Sequence, residues 1–294
     1  MIFKKLGEWI AIGFLMVLLT TDYGYPDPIQ RDVTIAIYPC TDAVSSFKKF
    51  HPLIAYLSAR TGFTFRLSHP KRACIYEKDI RNGKVDFVMQ DPHVYLELNH
   101  LYDPSSVLQT LNQDGTLLQR AVVIVRKDSG LYSLGALKGK TVMFGPLSST
   151  AKWVAAKFLF EEKGIHIDTD LWEYVNGGCC EDMAFNVYLK AVDAAVICEH
   201  FLRNERQNSL ELGVDLTKLR VVDRTRPVPT KVFAAAKQTP PEIIDVVVQA
   251  LISLDARDMT HRAILEAGEL GGFKKTTPKD RIALRETVDA LSTD

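Results

Sequence analysis

The chain alternates short runs of apolar, β-branched residues with longer segments that have the period of a helix. Residues 33–38 form the first run, and residues 47–60 carry apolar side chains at the spacing of an amphipathic helix. The same order returns with a strand at 63–67, and again with a strand at 85–89. This alternation predicts an α/β fold in which helices cover the faces of mainly parallel sheets.

A second series of strands and helices begins near residue 119. Its defining segments are predicted at 119–125, 141–144, 151–163 and 231–236. The segment at 231–236 is predicted to be a strand that returns the chain to the first lobe. We therefore predict two lobes joined by two crossings, near 125–128 and 229–232. The predicted organisation is an N-terminal segment of residues 1–26, a first lobe of residues 27–125 plus 233–294, and a second lobe of residues 126–232.

The turn after the 141–144 strand carries the strongest functional signal. Gly145 and Pro146 are followed by Ser148, Ser149 and Thr150, at the point where a helix is predicted to begin. We call Gly145–Thr150 the hydroxyl turn. The first N–H groups of a helix have no partner inside the helix, and its dipole is positive there, so this turn predicts a receptor for an oxyanion. The alternative is that Ser148 or Ser149 is an ordinary N-cap.

Other polar residues lie at corresponding positions, just past predicted strand ends. They are Tyr38, Asp91 and Glu199, in addition to Ser148. Ligands of open α/β sheets bind beyond the carboxyl ends of the strands. We therefore expect these residues to face one cleft, although Asp91 before Pro92 is also an ordinary turn former and Glu199 an ordinary solvated acid.

The N-terminus and the charge balance bear on location and partners. Lys4 and Lys5 precede an apolar run from Trp9 to Leu19, which has the length of a signal-peptide core and is short for a membrane span. We predict export to the outer side of a bacterial inner membrane, with an uncleaved anchor as the alternative. The 36 basic and 36 acidic residues balance, so no general field favours nucleic acid.

Five cysteines would then lie in an oxidising compartment. They are Cys40, Cys74, Cys179, Cys180 and Cys198. An odd number leaves at least one thiol unpaired within a monomer, and the spacing does not decide whether Cys179 or Cys180 bonds Cys198. No zinc-site spacing and no common catalytic motif is present. We therefore expect no enzyme activity, no cofactor and no metal.

Several short motifs, in order, resemble one family. They are Ile37-Tyr38-Pro39, residues 52–62, Gly83–Phe87 before Asp91-Pro92, residues 134–140, the hydroxyl turn, Val192–Ala195 and Gly271-Gly272-Phe273. Together they resemble the periplasmic substrate-binding proteins of phosphate, phosphite and phosphonate ABC transporters, over about residues 31–285. This resemblance implies the type II periplasmic-binding fold, with two lobes, a two-strand hinge and a ligand cleft between the lobes.

The resemblance also implies roles for individual residues. Ser148, Ser149 and Thr150 would hold the phosphate or phosphonate oxygens, and Tyr38 would add a hydroxyl. The remaining implied ligand contacts are Asp91, His93 and Tyr95 in one turn, Cys180 and Glu181 in place of a His–acid pair, and Glu199 across the cleft. Asp91 replaces the usual glycine and Cys179-Cys180 the usual Ser-His, while Cys40 and Cys198 add thiols near the expected cleft.

The expected function is periplasmic binding of a phosphate, phosphite or phosphonate ion and its delivery to an ABC permease in the inner membrane. Two alternatives stay open. One is an anchored ligand-sensing or accessory module of the same fold. The other is a thiol- or metal-dependent periplasmic protein that uses Cys179, Cys180 and Cys198.

Overall fold

The structure is a computed structural model that describes residues 32–38, 43–70, 72–203, 209–210, 213 and 215–291. The predicted signal segment and Cys40 lie outside the described residues. Within the described residues, no helix has both the length and the apolar character needed to cross a bilayer.

The strands are numbered in chain order. They are β1 (Asp32–Ile37), β2 (Thr64–Ser68), β3 (Phe87–Gln90), β4 (Leu108–Leu111), β5 (Leu118–Gln119), β6 (Ala121–Arg126), β7 (Thr141–Phe144), β8 (Glu173–Asn176), β9 (Ala194–Cys198), β10 (Leu219–Arg224), β11 (Val228–Pro229), β12 (Val232–Ala235) and β13 (Gly272–Lys275).

The helices are numbered in the same way. They are α1 (Ala43–Thr61), α2 (Ala73–Arg81), α3 (Pro92–Leu98), α4 (Ala155–Glu162), α5 (Ile167–Asp170), α6 (Cys180–Tyr188), α7 (Glu199–Arg203), α8 (Pro241–Ile252), α9 (Met259–Ala267) and α10 (Pro278–Asp289). A π-helical turn, Thr150–Val154, leads directly into α4, and short 3-10 turns cover Asn99–Leu101, Leu134–Leu137 and Leu216–Lys218.

Two mixed sheets carry the fold. The first has the order β13-β4-β12-β3-β1-β2, and the second has the order β10-β6-β9-β7-β8. In the first sheet β1 pairs in parallel with β2 and β3, whereas β12 is antiparallel to β3 and β4. The second sheet likewise joins parallel pairs around β7 to antiparallel pairs around β6. The sheets are therefore mixed rather than mainly parallel, because the strands that follow each crossing run against their neighbours.

The short pair β5 and β11 lies at the two crossings between the sheets. Val228 pairs with Gln119, and Pro229 pairs with Leu118. Directly after β5, strand β6 joins the second sheet. The backbone hydrogen bonds of β6 place residues 121–125 in the second sheet. The boundaries of the two lobes stay a prediction.

Each sheet is covered by helices on both faces. Along β1, Val33, Ile35 and Ile37 enter one core with α1 and α8, while Ala36 enters a second core on the other face. The second sheet repeats this arrangement, with α4 on one face and α6 on the other. Alternating side chains of a strand point to opposite faces, so a strand covered on both faces is apolar throughout. The period and the length of these runs predicted β1, β3, β6, β7, β9 and β12.

Candidate functional site

A cavity of about 110 Å³ lies beside the carboxyl ends of β3, β7 and β9. The part of the chain built on the first sheet contributes Lys49, Asp91, Lys231 and Glu269 to its wall. The part built on the second sheet contributes Pro146, Ser148, Ser149, Lys152, Gly178, Cys179, Cys180, Glu181, Cys198 and His200. The cavity therefore has walls from both sheets, at the sheet edge where open α/β folds bind ligands.

The hydroxyl turn is held close to the chain that follows it. Ser149 is the N-cap of the π-helical turn, and its Oγ accepts a hydrogen bond from the N–H of Lys152 at 3.2 Å. A Cβ at Gly145 would lie 2.3 Å from the Cβ of Lys152, so only glycine fits there. Ser148 and Ser149 are buried, and both line the cavity. Ser149 is thus an N-cap, and it lines the cavity as well.

Thr150 makes contact with the turn at the end of β3. Its N–H donates to the carboxylate of Asp91 at 3.0 Å, and its Oγ1 accepts from the N–H of His93 at 3.2 Å. Asp91 is the N-cap of α3 yet makes no capping bond to its own helix. Each of the two helix starts therefore supplies an acceptor to an unpaired N–H group of the other.

His93 strengthens this contact between the two starts. Its Nε2 lies 3.1 Å from the carbonyl oxygen of Leu147, which can only accept, so Nε2 carries the hydrogen. Its Nδ1 lies 2.9 Å from Thr150 Oγ1. Thr150, Asp91 and His93 thus lie together and bind one another. The Asp91 carboxylate takes the position at the Thr150 N–H that the sequence assigned to an external oxyanion.

Basic side chains that the sequence analysis did not select line the same cavity. Lys152 is only 7% exposed, and its Nζ donates to the carbonyl oxygen of Gly178 at 2.8 Å. Lys49 and Lys231 come from the opposite wall. Lys152 was detectable, because it lies two residues after the hydroxyl turn in the first turn of the helix. Lys49 and Lys231 lie far from that turn in sequence and carry no local signal.

An ion cluster spans the cavity. Nζ of Lys49 lies 2.9 Å from Glu269 and 3.8 Å from Glu181, and Nε2 of His200 lies 3.9 Å from Glu269. Burial opposes the charged form of Lys49, but the two carboxylates outweigh it and raise the Lys49 pKa. Burial likewise opposes the charge of Glu269, but His200 and Lys49 outweigh it and lower the Glu269 pKa. Glu269 has a φ of 57°, a conformation that glycine normally takes.

The cysteines of the cavity differ in their surroundings. Cys180 is the first residue of α6, and its sulfur accepts a hydrogen bond from the N–H of Cys198 at 3.2 Å. A hydrogen bond from the Cys198 thiol, together with the charges of Lys152 and His200, lowers the pKa of Cys180 although the group is buried. The same bond and burial raise the pKa of Cys198. Burial raises the pKa of Cys179 to about 12. Cys180 is therefore the thiol that ionises first.

Five residues selected from the sequence are not part of the cavity wall: His93 and Thr150, which bind each other as described above, and Tyr38, Tyr95 and Glu199. Tyr38 packs edge-on against Tyr76, with ring centroids 4.9 Å apart. Tyr95 is buried and stacks on Tyr102 at 5.9 Å. Glu199 pairs with Arg224 at 2.9 Å and lines a neighbouring cavity of about 700 Å³. That neighbouring cavity shares the residues Gln119 and His200 with the first one. A position just past a strand end thus does not fix where the side chains of Tyr38 and Glu199 point.

The sequence predicts no metal site. Within the part of the chain that the structure describes, no group of three or more His, Cys, Asp or Glu side chains is arranged to hold a metal ion. The described cavity therefore presents hydroxyl, ammonium, imidazole and thiol groups to a ligand, interleaved with carboxylates. Hydroxyl and ammonium donors at a helix start suit an oxyanion.

Comparison with known proteins identifies related chains. A family model described as the periplasmic substrate-binding protein of the phosphonate ABC transporter matches residues 35–281. The tetrathionate sensor histidine kinase TtrS of Salmonella typhimurium is 25% identical over 240 residues, which are 77% of this chain. Those residues are 40% of TtrS, so the chain spans well under half the length of this curated relative.

Solved structures share the fold. A binding-protein component of an ABC phosphonate transporter from Pseudomonas aeruginosa, PA3383, superposes with a TM-score of 0.76 at 16% identity, covering 90% of each chain. PhnD1 from Prochlorococcus marinus, in complex with methylphosphonate, gives 0.74 at 17% identity, covering 89% of this chain and 98% of that one. The predicted fold class, an α/β fold of the type II periplasmic-binding kind with two sheets, is confirmed.

Proposed function

This chain belongs to the family of phosphonate ABC transporter periplasmic substrate-binding proteins, and from that premise we propose that its cavity binds one small oxyanion of the phosphate, phosphite or phosphonate class. The observation that carries the proposal is the pair Ser148 and Ser149, whose buried positions line a cavity that Lys49, Lys152 and Lys231 also line. The chain would then deliver the ion to an ABC permease of the inner membrane.

The geometry supports binding through fixed donors. The two serine hydroxyls and the start of α6 at Gly178–Glu181 surround the cavity together with the ammonium groups. Hydrogen bonds between a donor and a charged acceptor contribute about 1.5–3 kcal/mol each, roughly twice a neutral one. Because the walls come from both sheets, an anion held between them favours the closed arrangement by its differential affinity. The Asp91–Thr150 contact closes one side of the cavity in the same arrangement.

The tested ligands are phosphate, phosphite and methylphosphonate, measured by isothermal titration calorimetry on the purified chain. Replacing Ser148→Ala and Ser149→Ala together removes two donors, and we expect the dissociation constant to rise by about 100-fold. Ser133→Ala is the matched control, because Ser133 is exposed and its side chain makes no capping bond. Binding unchanged by the double substitution would contradict the site, and no binding of any of the three ions would contradict the ligand class.

A second candidate is a sensor of a sulfur oxyanion. Two observations favour it: the similarity to a tetrathionate sensor kinase, and the thiols of Cys179, Cys180 and Cys198 in the cavity wall. The match covers 40% of that relative. Tetrathionate and thiosulfate are therefore included in the calorimetric series. Tight binding of a sulfur oxyanion, with no binding of the phosphorus oxyanions, would select this candidate.

We propose export through residues 1–26, which are outside the described residues. The family description is periplasmic. N-terminal sequencing of the chain recovered from a periplasmic extract tests this part: a start beyond residue 26 supports a cleaved signal, and an intact Met1 in the membrane fraction supports an anchor. Binding without turnover is also part of the proposal, and recovery of the unchanged oxyanion after incubation tests it.

A further inference from the structure

Cys180 and Cys198 reach the cavity from two different elements. Cys180 begins α6, and Cys198 is the last residue of β9. The N–H of Cys198 donates to the sulfur of Cys180 at 3.2 Å. Both are free cysteines, and both line the same cavity as Ser148 and Ser149. Two cysteines joined in this way at the wall of one cavity are more than a buried structural thiol requires.

We propose that Cys180 and Cys198 form a redox-active dithiol that reacts with a captured anion carrying a sulfur–sulfur bond. The class of ligand is a polythionate, in which sulfonate groups flank the reactive bond. This inference rests on the proposed function, since the same hydroxyls and ammonium groups would hold one sulfonate of the ligand while an inner sulfur meets Cys180. Three basic side chains share the wall with three carboxylates, so a sulfonate would be held beside the lysines and the serine hydroxyls.

Cys180 is the attacking thiol of the pair. It lies at the start of a nine-residue helix, where the dipole favours negative charge. The N–H of Cys198 points at its sulfur, and the amine of Lys152 contributes positive charge nearby. A thiolate, not a thiol, is the nucleophile in exchange at a sulfur–sulfur bond. Cys198 donates to that thiolate and so stays protonated until the second step.

The reaction balances with tetrathionate as the oxidant. The Cys180 thiolate attacks one central sulfur, a new sulfur–sulfur bond forms, and the central bond of tetrathionate breaks with release of one thiosulfate. Cys198 then loses its proton to solvent and attacks the sulfur of Cys180. A disulfide forms, and the second thiosulfate leaves. The two thiols are oxidised by two electrons and release two protons, while one tetrathionate is reduced to two thiosulfates.

The test uses the full chain, reduced and freed of reductant, and mixed with tetrathionate. We expect loss of two thiols per chain, release of two thiosulfates, and a Cys180–Cys198 cross-link in the peptide map. The reaction should be at least tenfold faster than with a neutral small disulfide at equal concentration. Saturating methylphosphonate should slow it in proportion to the occupancy measured by calorimetry.

Variants separate the two steps. With C198S the reaction should stop at a Cys180 adduct that carries one thiosulfate unit, and with C180S the rate at Cys198 should fall at least tenfold. C74S is the matched control, because Cys74 is an exposed free cysteine on α2. The wild-type peptide map decides the matter even if a variant fails to fold.

The inference is overturned if Cys74 reacts as fast as Cys180, or if the neutral disulfide matches tetrathionate. It is also overturned if the cross-link joins other cysteines. None of these outcomes bears on the binding of phosphate, phosphite or methylphosphonate, which calorimetry with non-oxidising ions decides separately. Failure of the proposed function would instead appear as absence of that binding, with or without thiol oxidation.

Discussion

Among the helices that begin at the cavity, the π-helical turn at Thr150 and helix α6 have starts that are satisfied in opposite ways. The start at Thr150 is capped twice, by Ser149 from its own segment and by the Asp91 carboxylate from the other sheet. The start of α6 receives no capping bond from the side chain of its N-cap residue, Cys179. Instead it carries Cys180, whose sulfur accepts from Cys198. At the Thr150 start, a carboxylate of the same chain accepts a hydrogen bond from a free N–H group. At the start of α6, an ionisable thiol lies in the first turn.

A helix start predicts a bound anion, but it does not specify whether that anion belongs to a ligand or to a side chain of the same protein. An unpaired N–H group is satisfied by whichever acceptor lies nearest, and here Asp91 is part of the chain. The proposed position of the ligand is therefore the space between the two starts and not the N–H of Thr150. Lys152 joins them, because it belongs to the first start and its Nζ donates to Gly178, two residues before Cys180.

The largest effect is expected from removing the side chain that joins the two starts. Lys152→Met keeps the length of the buried side chain but removes its charge and its bond to Gly178. We expect the oxyanion dissociation constant to rise by about 100-fold, the equivalent of one charged hydrogen bond at its upper range. Calorimetry with the tightest-binding ion measures it. Lys163→Met, an exposed lysine that follows α4, is the matched control, and equal affinities in the two variants would refute the role of Lys152.

The next effect tests whether the internal carboxylate competes with the ligand. Asp91→Asn keeps an acceptor for the Thr150 N–H and removes a negative charge from the cavity wall. A like charge about 4 Å from a bound anion costs about 1 kcal/mol at the dielectric of bulk water. We therefore expect oxyanion affinity to increase by about fivefold in titration calorimetry.

Asp245→Asn is the control for this substitution, because Asp245 is exposed on α8. A decrease in affinity on Asp91→Asn would contradict competition. It would indicate instead that the Asp91 carboxylate holds the start at Thr150 against the start of α3, and that the ligand depends on this contact.

How much the sequence predicts differs between fold and site. Strand β9 is a continuous apolar run, and β1 and β3 are largely apolar, so their period and length suffice. The predictions did not include β4 or β13, since Leu108–Leu111 contains Gln109 and Thr110 and β13 is half lysine. Their antiparallel pairing depends on partners far along the chain. Tertiary contacts, not local pattern, make these residues strands.

At the site, local patterns located helix starts but not their partners. The hydroxyl turn was recognisable because strand, glycine, proline and hydroxyl residues follow one another. Lys49 and Glu269 could not be linked, as 220 residues separate them. Tyr95 was selected as a ligand contact but is a core aromatic stacked on Tyr102; its role as a contact stays a prediction without support from its position. Side-chain direction was the missing information in each case.

A smaller effect distinguishes the adjacent cysteines at the second start. Cys180 has a lowered pKa, and Cys179 has a pKa of about 12. Thiolate forms as pH rises, so alkylation of Cys180 by iodoacetamide should reach half its maximal rate below the ordinary thiol value of about 8.5. Cys179 should stay unreactive through pH 9. Peptide mapping after short pulses at each pH measures both, with glutathione as the reference thiol.

Lys152→Met should move the midpoint for Cys180 upward, because the lysine charge helps to hold its thiolate. A midpoint at or above that of glutathione would contradict the proposed asymmetry between the two cysteines. Equal rates for Cys179 and Cys180 at neutral pH would contradict it as well.

The smallest effect concerns the ion cluster that spans the cavity beside both starts. The Glu269 pKa lies below its ordinary value, so its ionised form stabilises the fold above about pH 4.5 and that contribution is lost as pH falls through the lower value in the folded chain. Glu269→Gln should therefore flatten the dependence of the melting temperature on pH between about 5 and 2.

Glu266→Gln, on the exposed side of α9, is the control and should leave the curve unchanged. Since the side chain of Glu269 is 46% exposed, solvent screens its ion pairs and the change should be small. A melting curve that falls as steeply with acid in Glu269→Gln as in the wild type would show that the cluster holds the cavity rim without stabilising the fold. The difference between the two helix starts would then depend on capping contacts alone.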